Sequence, residues 1–466
     1  MMLRLSRLVP GLLILSLLCG CASLSSYTET TARARISLAQ GRFEDALAAF
    51  PETAARGRNE VLVRLERAVI LQAMGKFEES ACEFQLGVER IREYERRAVV
   101  SAGRTVSQAG SLLVNEQVRP YEGEDFEKIL VHAVNAVNYL MTGDLEGARV
   151  EIRNAYARQN ELHDRHAREL QKAREERGAA GWKESFEKAD REGYGELEAK
   201  ASGVHSVYQN AFAYAVSALV YELGGEYDEA YIDLKKAVLA APDSRSIQKD
   251  LIRLSRKLHF HEDERMWVDR WGELEDGYGE GTDVFVIFQH GSAPVREPLS
   301  FPVILPEGGI VFASMPVYRF VPSGTGSGLV LWNGGSVRTS VLSDTDAIAA
   351  RSLLDDFPVL FAKQVARAAF KGWLTGRLTR EHDATGAFVG TLMSALTEQA
   401  DLRTWSSLPK EIHTARAFVP ESVRRIAIRS VPSGRCGEVE VPEAARHLIV
   451  VCRDTRAGLS LRAKAF

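Results

Sequence analysis

Apolar residues recur at helical spacing up to about residue 270 and in short alternating or continuous runs after it, so the chain reads as a helical part followed by a mixed one. Four clusters punctuate the helical part: Gly41-Phe43-Ala46-Phe50, Gly75-Phe77-Ser80-Phe84, Gly143-Leu145-Ala148-Ile152 and Gly225-Tyr227-Ala230-Leu234. Each follows an amphipathic run, and Ala68, Ala136 and Ala218 stand seven positions before three of the glycines. A glycine ends a helix and a small residue admits a close neighbour, so each cluster predicts a turn between two antiparallel helices. Gly41 and Gly75 are 34 residues apart, and Gly143 lies a further 68 on, which is twice that period. The unit near Gly110 is degenerate, and Arg119–Asp125 reads as a loop. Pro51 ends the first hairpin early. Ile247, Leu251, Leu254 and Leu258 predict one capping helix over Ser246–Trp271.

The period and the residue types resemble tetratricopeptide repeats, most closely in AYAVSALVYELGGEYDEAYIDLKKAVLAAP, residues 213–242. The resemblance implies a groove lined by the first helix of each pair, which places Leu65, Val69, Ala133, Val137, Ala215 and Leu219 toward a ligand. These positions are apolar and suit an extended or helical peptide docked by hydrophobic anchors. The alternative is that neighbouring repeats bury them. Residues 157–203 lose the pattern, alternate charges of both signs and contain Gly178 and Gly181. They predict two solvated helices inserted in the array, or an arm that meets a partner or a second copy.

Glu273–Thr282 is an acidic, Gly-rich linker, and the runs after it read as strands: 283–289, 301–305, 310–320, 328–332, 337–342, 424–431 and 447–452. Asp344 or Asp346 caps a helix from about Ala347 to Leu378, and Ala384–Leu402 predicts another. The fold class is therefore a tetratricopeptide-like helical repeat array over about 31–262, followed by a smaller α+β domain over about 283–466.

At the N-terminus, Arg4 and Arg7 precede the apolar run Leu8–Leu18, too short to span a bilayer and suited to an export signal over residues 1–20. Leu18-Cys19-Gly20-Cys21 resembles a bacterial lipobox, which implies cleavage before Cys21 and diacylglyceryl modification of its thiol. Acyl chains add about 0.8 kcal/mol per buried methylene. By the same resemblance, Ala22 rather than Asp implies the outer membrane, with the protein facing the periplasm. Residues 21–30 read as a lipidated tether. In an oxidising compartment Cys436 and Cys452, which share one Gly-punctuated, strand-like region, are expected to pair, whereas Cys82 on a repeat helix reads as a buried thiol. The 59 basic and 63 acidic residues nearly balance, giving a net charge of −4 and no nucleic-acid footprint.

Together the lipobox, the stretch YEGEDFEKILVHAVNAVNYLMTGDLEGARVEIRNA, the strand DVFVIFQHGSAP and EQADLRTWSSLPKEIHTARAFVP resemble a family of Gram-negative envelope lipoproteins without established activity. The resemblance covers nearly the whole mature chain. It implies a periplasmic adaptor linked to outer-membrane or cell-wall assembly.

Chemistry is sparse. Ser292 beside His290 and the glycines of SGTGSG lack a nucleophile elbow or phosphate-loop context and read as turns. His163 with His166, and His259 with His261, lack a third ligand, so no metal or cofactor is expected. Asp355 and Asp356 do not specify glycoside chemistry, and His413 has no nameable partner. The amphipathic residues 364–378 and the small-residue-rich 384–396 suit burial on the domain's own sheet, a bilayer surface or another helix. The leading expectation is a non-catalytic protein–protein adaptor held to the membrane through Cys21 and meeting a periplasmic or outer-membrane protein. The alternatives are a cell-wall enzyme in which Ser292, His290 or His413 meet a carboxylate, and a self-assembling envelope protein.

Overall fold

The computed structural model describes residues 26–102, 119–180, 195–204, 206–304, 310–322, 326–381 and 400–466. Cys21 and residues 382–399 lie outside them. After one turn of helix at Tyr27–Thr30 (α1), the helical part runs α2 (Ala32–Ala39), α3 (Phe43–Ala48), α4 (Glu60–Met74), α5 (Phe77–Ala102), α6 (Asp125–Thr142), α7 (Leu145–Ala180), α8 (Gly195–Ala201), α9 (Ala211–Leu223), α10 (Tyr227–Ala240), α11 (Arg245–Lys257) and α12 (His261–Trp271). The pairs α2/α3, α4/α5, α6/α7 and α9/α10 pack as hairpins.

One turn geometry joins each pair. Gly75 and Gly143 take φ 82° and 87°, a left-handed conformation open to glycine at little cost. The residue after each closes the helix end: Lys76 N donates to Leu71 O (2.9 Å) and Asp144 N to Tyr139 O (2.8 Å).

Three expectations need correction. The tether is shorter than residues 21–30, because Ser26 caps α1 and buried Thr28 donates to the carbonyl of Arg296 at 3.1 Å. The insertion is not set apart from the array: its first half is the continuation of α7, which runs unbroken through Gly178, since one glycine costs a helix only about 1 kcal/mol, and its second helix, α8, buries Leu197 and Ala201. Nor is its first half solvated, for Leu162 is fully buried and Arg158 reaches Glu95 of α5 at 2.6 Å. The capping helix is two helices, α11 and α12, broken where His259 adopts φ 58° and Phe260 N turns back to Ser255 O.

The second part contains β1 (Thr282–His290), β2 (Val295–Ile304), β3 (Ile310–Arg319), β4 (Ser327–Trp332), β5 (Gly335–Arg338), β6 (Ser340–Asp344), α13 (Thr345–Glu381), β7 (Glu411–Val419), β8 (Arg425–Val431), β9 (Cys436–Glu440), β10 (His447–Asp454) and β11 (Leu459–Ala465). A five-stranded sheet, β11-β10-β1-β7-β6, faces a four-stranded sheet, β5-β4-β8-β9, while β2 and β3 form a separate ribbon. Strand β1 lies in the middle, parallel to β10 and antiparallel to β7, and all nine of its residues are buried. Its period of two separates the layers. Val284, Val286 and Phe288 meet the four-stranded sheet through Val330 and Ile428, whereas Phe285 and Ile287 belong to the core shared with the helices.

Cys436 and Cys452 do not pair. They stand on successive strands that join different sheets, Cys436 exposed opposite Arg429 and Cys452 fully buried opposite Phe288, and both thiols are free. Cys82 is also free and is exposed rather than buried.

The two parts are not separated by the linker in space. Leu65, Val69, Val137 and Leu219 share one apolar core with Phe285, Ile287, Trp405, Ile412, Ile449 and Val451. Buried charges seal its rim: Arg416 of β7 bonds Asp283 of β1 (2.5 Å) and Glu222 of α9 (2.6 Å) and reaches Asp250 of α11 at 3.3 Å. Strand β11 crosses the hairpin tips. Arg462 donates to Met74 O (3.1 Å) and Ser460 to Ala73 O (2.8 Å), so a cation and a hydroxyl meet the carbonyl end of α4. A Cβ on Gly75 would stand 2.2 Å from Arg462 Nε, and one on Gly143 would stand 3.1 Å from Lys464.

Candidate functional site

All six residues expected to line an open groove are buried, each 2% exposed or less, and the chain itself covers them. They lie on helices α4, α6 and α9, the first helices of their pairs. Against them lie the five-stranded sheet and the segment 400–408, ADLRTWSSL, which precedes β7 and has no helical structure. The expected helix through Leu402 therefore does not extend over Ala400–Leu408.

Two carboxylates hold this segment by its backbone. Glu66 of α4 accepts from Ser406 N (2.9 Å) and Ser406 Oγ (2.8 Å) on one oxygen and from Ser407 N (2.8 Å) on the other. Glu127 of α6 accepts from Trp405 N (2.8 Å) and Thr404 Oγ1 (3.4 Å), and its second oxygen takes Glu124 N at 3.0 Å and the hydroxyl of Tyr121. Between these bonds the Trp405 ring is fully buried, edge-on to Phe84 at 5.8 Å. Burial pushes the Glu66 carboxyl up, with the Ser407 and Ser406 bonds pulling the other way. Burial, with repulsion from Glu124 behind it, raises Glu127 to about 7. Arg403 fastens the segment's start, forking onto Asp401 and donating to Arg119 O at 3.0 Å.

The arrangement is peptide recognition carried out within one chain: backbone amides in a groove, one aromatic anchor in a pocket and two buried acceptors. A buried polar chain extends it, as Gln72 of α4 bonds Asn138 of α6 (2.7 Å) and Gln289 of β1 (3.0 Å). Asn135 and His132 meet Glu151 at 3.1 and 2.6 Å at the other end. The residues that grip were not among the candidates. Glu66 and Glu127 did leave a signal, each being an acid on the apolar stripe of a first helix, in VLVRLERAV and FEKILVHAV.

The remaining candidates are divided. His290 and Ser292 come to one cavity with a carboxylate, Asp454, whose Oδ2 meets His290 Nδ1 at 2.9 Å and Ser430 Oγ at 2.7 Å. His413 instead bonds Glu411 at 3.0 Å on its own strand. His166 pairs with Asp356 (3.3 Å) and His163 lies beside Asp164, while exposed His259 and His261 stand with rings 6.0 Å apart. Among the described residues no three His, Cys, Asp or Glu side chains gather at metal-binding distance. No helix among them is long and apolar enough to cross a membrane.

The chain matches no protein-family model and no curated protein. Among solved structures it is similar to the "TPR2AB-domain:pHSP90-complex of yeast Sti1", at 16% identity over 52% of this chain and 87% of that one, with a TM-score of 0.21. So low a score carries no argument for this chain, whose array stands on its own glycine turns and hairpins.

Proposed function

We propose that the protein is a non-catalytic, membrane-anchored periplasmic scaffold that recognises a protein partner of the outer membrane or cell wall. The observation that carries this reading is the occupied groove. The array grips segment 400–408 as a helical-repeat module grips a peptide, which locks the α+β part in place and leaves the outer surface for the partner. The surface that suits this role is a cavity of about 1080 Å³ between α5 and α7, lined by five arginines and five glutamates, among them Arg92, Arg96, Glu89 and Glu93. Balanced charge of this density fits a polar protein segment carrying both signs and not a polyanion. An acylated Cys21 lies five residues before Ser26, so the body is held within about 18 Å of the lipid headgroups.

In-cell photocrosslinking of the full-length lipoprotein tests this. A crosslinking residue at position 92 is expected to capture one envelope protein, and capture is lost with Arg90→Glu and Arg96→Glu combined elsewhere in the cavity or with Cys21→Ser. A crosslinker at Leu239, exposed on α10, is expected to capture nothing. If position 92 captures no protein, or the same set as position 239, the scaffold reading is wrong.

A further inference from the structure

The parallel pair β1 and β10 ends at one edge, with His290 and Asp454 directly across from each other in register. In open sheets the crevice beyond the carboxyl ends of parallel strands is where ligands gather. Here that crevice is a cavity of about 460 Å³, closed by the β8–β9 turn on one side and by Leu38 and Ala39 of α2 on another. A volume of roughly 300–1,000 Å³ suits a small molecule.

Its charges do not balance. Arg435, Arg453 and Arg456 line it against a single carboxylate, Asp454, which Arg435 already holds at 2.7 Å. Arg453 is 3% exposed and among the described residues has no carboxylate partner: Nη2 donates to the carbonyls of Gly291 (2.9 Å) and Ser407 (3.4 Å), and the buried Nη1 has no acceptor among them. A buried guanidinium left so is costly unless a ligand completes it. Burial accordingly pulls the group down to about 10, with Asp454 opposing. The cavity also has an apolar flank in Val321, Pro322, Val431 and Pro432.

We infer that this cavity is a binding site for a small oxyanion, a carboxylate or phosphate, seated against Arg453 and Arg456 with any apolar portion on the Val321 and Pro432 side. This goes beyond the scaffold reading, since the site lies in the α+β part, away from the charged cavity between α5 and α7. Occupancy would also be felt in the groove, because Arg453 touches the Ser407 carbonyl of the segment held by Glu66.

Isothermal titration of the full mature chain with N-acetylvaline and, separately, inorganic phosphate tests the assignment and distinguishes the two sources. Saturable binding of at least one probe is expected at or below about 1 mM, equivalent to roughly −4 kcal/mol. Arg453→Met is expected to weaken it more than tenfold without loss of unliganded stability, since an incompletely paired buried charge is removed. Exposed Arg456→Gln, which leaves the fold untouched, is expected to weaken it several-fold and decides the matter should Arg453→Met fail to fold. Arg425→Gln, on the outer face of β8, is the control and changes nothing. No saturable binding of either probe by the wild type overturns the inference, as does binding that Arg453→Met and Arg456→Gln leave intact.

Discussion

Replacing Glu66 with Ala removes the acceptor for two backbone amides and one hydroxyl that lie 340 and 341 residues away in sequence. Each buried donor left without an acceptor costs about 1–3 kcal/mol. Against this, the substitution relieves the burial that already pushes the Glu66 carboxyl up. The balance is a loss of about 3–5 kcal/mol, the usual result of removing one partner from a buried charged cluster. Glu66→Gln keeps the shape and one acceptor oxygen, so its loss should be about 1–2 kcal/mol. The effect is local first, because Glu127 still holds Trp405. Native-state hydrogen exchange followed by mass spectrometry on peptides covering 402–408 reads this directly. A loss of about 3 kcal/mol corresponds to roughly 10²-fold faster exchange at Ser406 and Ser407. The amide of Trp405 should accelerate less. If exchange across 402–408 is unchanged in Glu66→Ala, the segment is not held by the array and the account of the groove fails.

Other expectations follow from the same geometry. Trp405→Ala should cost about 3–5 kcal/mol and lower the helical and sheet unfolding transitions together, since the ring sits in the core common to both; two separate transitions in urea would contradict a shared core. Glu127 is raised from 4.5 to about 7, so the folded state binds more protons than the unfolded one between those values, and stability should fall as pH rises from about 4.5 to 7 and level off above. Its contribution is about 3 kcal/mol at most, and a urea midpoint that rises over this interval in wild type relative to Glu127→Gln would reverse the sign. Cys82 and Cys436 should react with a thiol reagent in the native protein and Cys452 only after unfolding, with no disulfide lost on reduction. Arg416→Met should destabilise by about 3–5 kcal/mol because Asp283, Glu222 and Asp250 are left buried together, and a neutral outcome in denaturation would show that their charges are relieved in another way.

The helical hairpins were legible because their signal is local. Gly75 and Gly143 must adopt a left-handed turn, and that requirement shows in any 34-residue window. Strand β1 was legible for the same reason, as an unbroken apolar run fits a strand buried on both faces. Strands β7, β9 and β11 were not recognised. LSLRAKA and CGEVE are edge strands with exposed residues, and EIHTARA carries Arg416, whose burial depends on carboxylates far away in the chain. The groove positions were placed on the correct helices with the wrong neighbour. Apolarity at Leu65 or Leu219 says that something covers the residue and not whether the cover is another molecule or the same chain. Glu66 and Glu127 carried the missing information, since an acid amid apolar positions on an inner helix implies a donor set that must arrive from elsewhere.

The contacts that fill the groove join the chain's beginning to its end. Synthesis proceeds from the N-terminus, so helices α4 and α6 emerge long before Trp405, Ile449 and Val451, the residues that cover them. Through that interval the inner face of the array is an exposed apolar surface with two unpaired acids in it. The array therefore stays open to aggregation until its last strand is delivered, and a chain stopped before residue 400 would be a substrate for proteolysis and not a smaller working array.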